Sequence, residues 1–358
     1  MSKIKLFFMI LFLILLAAGS FIKKNYNDSI LEFNGYVANV LGMNSYYSDK
    51  GVYVTDDKYI ASASAKTSTD YEYDEIVSFN EFLQENGIQL LYVNKPTKYN
   101  DDSFFYDNFG YESYTNRNAD LFLQRIGDAG IEYIDLRKNM EEDGLSSKDI
   151  FYRTDHHWTT EAGLWATGII VDELNSDYGY DIDTTLYDED NYSKMKWNDC
   201  WLGEQGKLLS ASYVGLDDYT ELKPKFDTDF TFYVDDQVEE GKSFDDFINE
   251  EKYNLDADIY HAGSWHYSYD RINNTNNNVD YGKILVICDS YDHVTIPFLS
   301  LGVHHVDSVL LRGDNDGIDL RDYILENEYD TVIISYAEFI IGAHDDEGSS
   351  NYGMFTFD

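Results

Sequence analysis

Helical and strand patterns alternate across most of this chain, which predicts an α/β fold built on a mainly parallel sheet. Three observations carry that reading. Short apolar runs recur at Ile88–Val93, Ile131–Leu136, Lys283–Cys288, Val306–Leu311 and Thr331–Ser335. Stretches with helical spacing lie between several of them. Breakers fall at the boundaries, as at Gly87, Asn94-Lys95-Pro96 and Gly130.

Taken in order, residues 25–45 suit a short helix leading into the domain. Tyr73–Asn86 is amphipathic, with Ile76, Phe79, Phe82 and Leu83 on one face and Gly87 just past its end. Asn118–Asp128 is the next helix, and another begins near Thr160, where Thr159 or Thr160 can cap it. From about residue 177 to 281 the rhythm lapses into a stretch rich in Asp, Asn, Tyr and Gly, with alternating pieces such as Phe230–Val234. This reads as a partly β insertion on top of the sheet, its acidic run Asp235–Glu240 a solvated turn. Regular elements then return, with Ile296–Leu301 continuing a helix after the strand Lys283–Cys288 and another helix at Leu320–Glu326. Residues 25–358 are therefore expected to form one domain with an insertion.

The N-terminal residues differ in kind. Lys3 and Lys5 precede an apolar run from Leu6 to Ala18 that fades by Ile22, and Lys23-Lys24 close it. Basic start, apolar stretch and polar exit are the layout of a signal peptide or an uncleaved signal-anchor. The run is short of the roughly 20 apolar residues of a full span. Ala17-Ala18-Gly19 makes no A-x-A cleavage site, so residues 1–24 are expected to stay as a membrane anchor with the rest extracytoplasmic; secretion follows if they are cut.

Of the 358 residues, 43% are apolar, which excludes wholesale disorder. The net charge of −41 excludes nucleic acid as a partner, since phosphate binding needs a positive surface. Two cysteines, Cys200 and Cys288, exclude a disulfide scaffold but allow one bridge. The 32 tyrosines supply flat faces with polar tips that suit sugar rings, or reflect a compositional bias.

Two strings carry chemistry. Lys283–Cys288 runs into Asp289-Ser290-Tyr291 before a helix, which puts Ser290 at the carboxyl edge of the sheet, where open α/β folds build their sites. A helix N-terminus there favours negative charge and suits an oxyanion; a plain N-cap is the alternative for Ser290. The second string is Asp155-His156-His157-Trp158. A serine hydroxyl attacks only when a base takes its proton, and histidine held by a carboxylate does this near neutral pH. Asp155 and His157, two apart in a loop, can face one cleft. Asp155, His156 and His157 are also a conceivable metal set, but adjacent histidines are expected to point apart, and no metal is expected. His156 is expected to be structural, with Trp158 packing on the sheet.

The DHHW string and the Asp-Ser after a strand resemble the DHHW protein family, which is similar to the SGNH-like O-acetylation proteins of alginate export. Asp217-Asp218, Pro224-Lys225-Phe226 and Pro297-Phe298-Leu299 add to the resemblance, as does an Asp-x-His pair that precedes the serine. The resemblance implies an SGNH-hydrolase-like three-layer sandwich with Ser290 as nucleophile, His157 as base and Asp155 as its orienting partner. It also implies O-acetyl transfer to an exported or cell-surface polysaccharide, with no cofactor, and acetyl supplied by a polytopic membrane O-acyltransferase. An acetylesterase with the same residues, a non-catalytic carbohydrate-binding protein and a metal-dependent hydrolase are the other readings. Cys288 departs from the pattern, which has a basic residue or glycine before the aspartate, and this puts the strand-to-turn geometry in question. Arg312, Lys95, Lys98 and Tyr336, each near the end of a strand, are candidates to contact substrate or an oxyanion; His293 is not.

Overall fold

The computed structural model describes residues 27–43, 46–47, 51–99, 102–234, 237–249, 269–312 and 319–358. The expected anchor at 1–24 lies outside these residues. Among the described residues no helix is long and apolar enough to cross a membrane.

Residues 27–40 form a first helix, α1. A small antiparallel sheet follows, β1 (Tyr46–Tyr47), β2 (Val52–Val54) and β3 (Ile60–Ser62). Then come α2 (Asp70–Glu85), β4 (Gln89–Lys95), α3 (Ser103–Phe109), α4 (Thr115–Asp128), β5 (Tyr133–Asp135), α5 (Leu136–Glu142), α6 (Ser147–Ile150) and α7 (Thr160–Asp177). The irregular middle holds β6 (Tyr192–Trp201), α8 (Glu204–Lys207), α9 (Ala211–Val214), β7 (Asp217–Pro224), β8 (Phe230–Val234), β9 (Gln237–Lys242) and β10 (Asn273–Asn276). The chain closes with β11 (Lys283–Cys288), α10 (Asp292–Leu299), β12 (His305–Val309), α11 (Leu320–Asn327) and β13 (Thr331–Ala337).

The main sheet has the order β5-β4-β13-β11-β12-β10-β8-β9. Its first five strands are parallel, as their apolar runs predict, and β10, β8 and β9 add an antiparallel edge. Side-chain parity divides each central strand between two cores. On one face Leu91, Val93, Ile284, Val286, Cys288 and Ile333 pack with α7 and α10. On the other Leu90, Tyr92, Leu285, Ile287, Val332, Ile334 and Tyr336 pack with α2, α4 and α11. Helices on both faces of the sheet make three layers, the SGNH-like α/β architecture.

The middle stretch departs from expectation. It lies only partly over the sheet, since β8, β9 and β10 extend it edgewise beyond β12. The acidic run is no turn in its described part, because Gln237–Glu240 belongs to β9 and pairs with β8. Its charges fit a last, solvated strand, whose open edge they protect from further pairing. Strand β6 pairs with β7 as a separate ribbon, and β7 begins at Asp217, which returns to the site.

Candidate active site

The half of the site carrying Ser290 grows from the end of β11. Apolar β11 is buried between β12 and β13, and its chain then turns through Asp289-Ser290-Tyr291 into α10. Beneath the turn sits Lys95 from the end of β4, one strand beyond β13, completely buried. Its ammonium is 2.7 Å from Asp289 and also pairs with Asp292. Asp289 fixes the turn further by accepting the amides of Tyr291 at 2.8 Å and Ala337 at 2.6 Å, and Ser335 donates to Asp292 at 2.9 Å. Burial works against charge on Lys95, but Asp289 and Asp292 outweigh it and raise its pKa. Burial also raises that of Asp292. Cys288 is accommodated by the opposite means: its thiol lies 2.8 Å from the Arg271 guanidinium, and burial pushes it up to about 11, so it is a protonated, inert neighbour. It is not bridged to Cys200; both thiols are free.

The other half is a tight loop. Phe151 bridges Trp158, the Thr159 amide reaches the Ile150 carbonyl, and the Thr159 hydroxyl caps α7. Trp158 locks loop to turn, its indole N–H donating to the Tyr291 carbonyl at 2.8 Å, while the Tyr291 hydroxyl returns to the His156 carbonyl. Two groups from the irregular middle hold the loop from outside. Asp217 accepts the Thr154 amide and hydroxyl and the Arg153 amide. The Gly203 amide donates to the Thr154 hydroxyl and the Glu204 amide to the free oxygen of Asp155, both at 2.8 Å.

These halves meet. Ser290 Oγ lies 2.7 Å from His157 Nε2, and His157 Nδ1 lies 2.7 Å from Asp155 Oδ1. A carboxylate only accepts, so Nδ1 carries the proton and Nε2 is left to accept from the hydroxyl. Burial, then the neighbouring His156, push the His157 pKa below its ordinary value despite Asp155, which keeps the ring neutral near pH 7. Burial opposes charge on Asp155, but His157 and His156 overcome it and hold its pKa well below the usual range.

His156 corrects the expectation that the adjacent histidines point apart. Its ring centroid is 3.9 Å from that of His157, and its Nδ1 is 3.2 Å from the same Asp155 oxygen. The three residues bring ligand atoms within 4.8 Å of one another. The 2.7 Å contact between Asp155 and His157 is nonetheless that of a hydrogen bond. Two ligands of tetrahedral zinc, each about 2.0–2.2 Å from the ion, stand roughly 3.3 Å apart. The arrangement fits proton transfer better than a metal.

A cavity of about 380 Å³ opens over Ser290, lined among others by Lys98, Tyr99, Phe105, His156, Gln205, Arg312, Phe339 and Asn351. Of the secondary candidates, Lys98 and Arg312 line it. Lys98 donates to the Arg153 carbonyl at 2.9 Å, and burial pushes its pKa down to about 7. Arg312 donates to Asn351 at 2.9 Å. Lys95 and Tyr336 do not line it. Lys95 is locked under the turn between two carboxylates, and Tyr336 has the parity of the opposite face, where its hydroxyl bonds the Met354 carbonyl. His293 turns toward the Tyr269 carbonyl, 3.1 Å away. Sequence reasoning missed Gly203, Glu204 and Gln205, which carry no pattern of their own. Asp217 was marked only by the Asp217-Asp218 pair.

A serine at the carboxyl edge of a three-layer α/β sheet, with a neutral histidine on its hydroxyl and a carboxylate behind, defines the SGNH hydrolase-like class. The chain belongs to the ALGX family, described as an SGNH hydrolase-like domain of acetyltransferase AlgX, whose profile matches residues 49–246. Acetyl transfer is thus its activity at the level of the family. The matched stretch includes Asp155 and His157, and Ser290 lies beyond it. Among solved structures, PatB1 of Bacillus cereus is similar at 21% identity and a TM-score of 0.66, over 88% of this chain and 100% of that one. A PatB1 structure with a sulfonyl adduct aligns at 20% identity and a TM-score of 0.64, over 86% and 99%. A DHHW family protein from Eubacterium siraeum aligns at 15% identity and a TM-score of 0.62, over 87% and 96%, in keeping with the DHHW resemblance. No curated protein matches by sequence.

Proposed function

We propose that the protein transfers acetyl groups to hydroxyls of a polysaccharide outside the cytoplasm, through an acyl-enzyme on Ser290. The observation that carries this reading is the unbroken relay from Asp155 through His157 to Ser290, with both contacts at 2.7 Å. Residues 25–358 then act as one catalytic domain with an insertion near 177–281, tethered by residues 1–24.

His157 takes the Ser290 proton as Oγ bonds to the acyl carbon. The tetrahedral oxyanion is held by the Ser290 amide and by donors lining the cavity, with Arg312 and Lys98 as candidates. Collapse breaks the bond to the donor's leaving group, which departs with the proton from His157. A sugar hydroxyl then gives its proton to His157 and attacks the acyl carbon, and Ser290 recovers the proton as its ester bond breaks. Asp155 holds the imidazole and stabilises its charged form. Aromatic walls at Tyr99 and Phe105 offer apolar faces to a sugar ring. In this reading a polytopic membrane O-acyltransferase supplies the acetyl group. If water takes the acyl group instead, the site is an esterase with the same machinery.

The test uses purified protein with p-nitrophenyl acetate and a sulfonyl fluoride. Turnover and a sulfonyl adduct on Ser290, both absent in Ser290→Ala and both resistant to chelator, support the acyl-enzyme. Equal rates in the two proteins would favour a non-catalytic carbohydrate-binding protein, and chelator sensitivity a metal enzyme. Acetylated oligosaccharide among the products separates transferase from esterase.

A further inference from the structure

Helix α1 has two faces of opposite character. At about 100° per residue, Leu31, Glu32, Gly35, Ala38 and Asn39 share one side, and that side is docked. Glu32 accepts the amides of Ala211 at 2.9 Å and Ser212 at 3.0 Å, and the Asn39 side chain donates to the Ser212 carbonyl. Ala38 is buried in a small core with Val52, Ile60, Leu209 and Tyr213. The helix lies so close that a Cβ on Gly35 would collide with the Ser210 hydroxyl.

The opposite side carries Ile30, Phe33, Tyr36, Val37 and Val40, continued by Leu41, with Ser29 interrupting and no charged residue. Phe33 and Val40 are each 66% exposed and Leu41 70%. A water-facing helix normally places its polar residues outward, so an aligned apolar stripe marks a contact surface. The sequence indicates what covers it. The apolar run Leu6–Ile22 and Lys23-Lys24 come just before, and the two residues between Lys24 and α1 span at most about 10 Å. Phe33 and Tyr36 on the outer face match the aromatic preference of the membrane–water boundary. The stripe is uncharged and the whole chain strongly acidic, so the contact is apolar rather than an attraction to anionic headgroups.

We propose that α1 is an interfacial helix whose outer face lies in the headgroup–acyl boundary of the bilayer, while its inner face carries the catalytic domain. The inference rests on the anchor reading of residues 1–24. The segment α1 grips, residues 209–214, continues from the Gly203–Glu204 stretch whose amides hold Thr154 and Asp155. Membrane attachment and the base of the relay thus share one piece of chain, which sets the height of the cavity above the lipid.

The test is photocrosslinking of the full chain in its own membrane, with p-benzoylphenylalanine replacing Phe33, Val40 or, as a flank control, Asn34. All three positions are exposed, and unchanged ester turnover reports the fold. Phospholipid adducts at 33 and 40, several-fold above those at 34, are expected. A protein adduct, whether to a partner or to a second copy, overturns the proposal, as does the absence of any adduct. A full-length chain retained in the membrane without lipid adducts sinks the helix proposal alone. A chain found soluble with residues 1–24 removed sinks the anchor reading and the proposal together.

Discussion

The two halves of the site are built by opposite means. The Ser290 turn stands on side-chain charge, a buried lysine between two aspartates at the carboxyl edge of the parallel sheet. The Asp155–His157 loop is held from outside, largely by backbone amides and one carboxylate of the irregular middle. A charge cluster under a turn is part of the core, and removing one member leaves the others buried and unpaired. A backbone brace on a packed loop mainly sets the orientation of its side chains. Damage to the first half should therefore unfold, and damage to the second should disable.

Five experiments break or sharpen this contrast. The largest effect belongs to the shared atom: Ser290→Ala should lower acetyl-ester turnover at least about a thousandfold with no loss of thermal stability. Asp155→Asn should come next, with a loss on the order of a hundredfold or more in kcat and an intact fold by circular dichroism, because it spoils the tautomer that leaves Nε2 free to accept. Lys95→Met should act on the other axis, costing about 3–5 kcal/mol in chemical denaturation by stranding Asp289 and Asp292. If Lys95→Met instead keeps wild-type stability, the contrast between the halves fails. Gly203→Ala should reduce kcat about tenfold or more at a stability cost of about 1–3 kcal/mol, less than that of Lys95→Met, since its Cβ would stand 2.4 Å from the Asp155 Cβ and 2.6 Å from the Thr154 carbonyl oxygen, so that both must move.

The smallest effect concerns pH. Burial and His156 lower the pKa of His157, whose working form is neutral. Activity should fall with falling pH, with the midpoint of kcat/KM below 6.5, the ordinary value for histidine. The same shift makes the unfolded chain bind more protons in that window, so stability also declines as pH drops from 6.5 through the folded-state value. An acid limb centred above 6.5 would contradict the burial of His157.

The sequence was informative in proportion to regularity. Strand β11 and strand β8 match their predicted bounds, because consecutive or alternating β-formers leave few alternatives. Helix α10 starts at Asp292, directly after the Ser290 turn as expected, and ends at Leu299, two residues short of the expected Leu301. Residues of the relay were legible as Asp-x-His and strand-Asp-Ser because reactive side chains are rare types in specific places. Lys95 shows the limit. Its position at the end of β4 was visible, but whether it faced cleft or core depended on two aspartates nearly 200 residues away. Gly203 and Glu204 were invisible for another reason: they act through backbone amides, which any residue but proline offers.

The position of β11 has a consequence for how such a protein can be made. Both neighbours of that strand, β12 and β13, follow it in the chain. A growing polypeptide therefore presents Asp155 and His157 long before anything can seat the serine. On the proposed reading, a chain without β13 leaves β11 one neighbour short and holds no working serine to pass acyl groups to water.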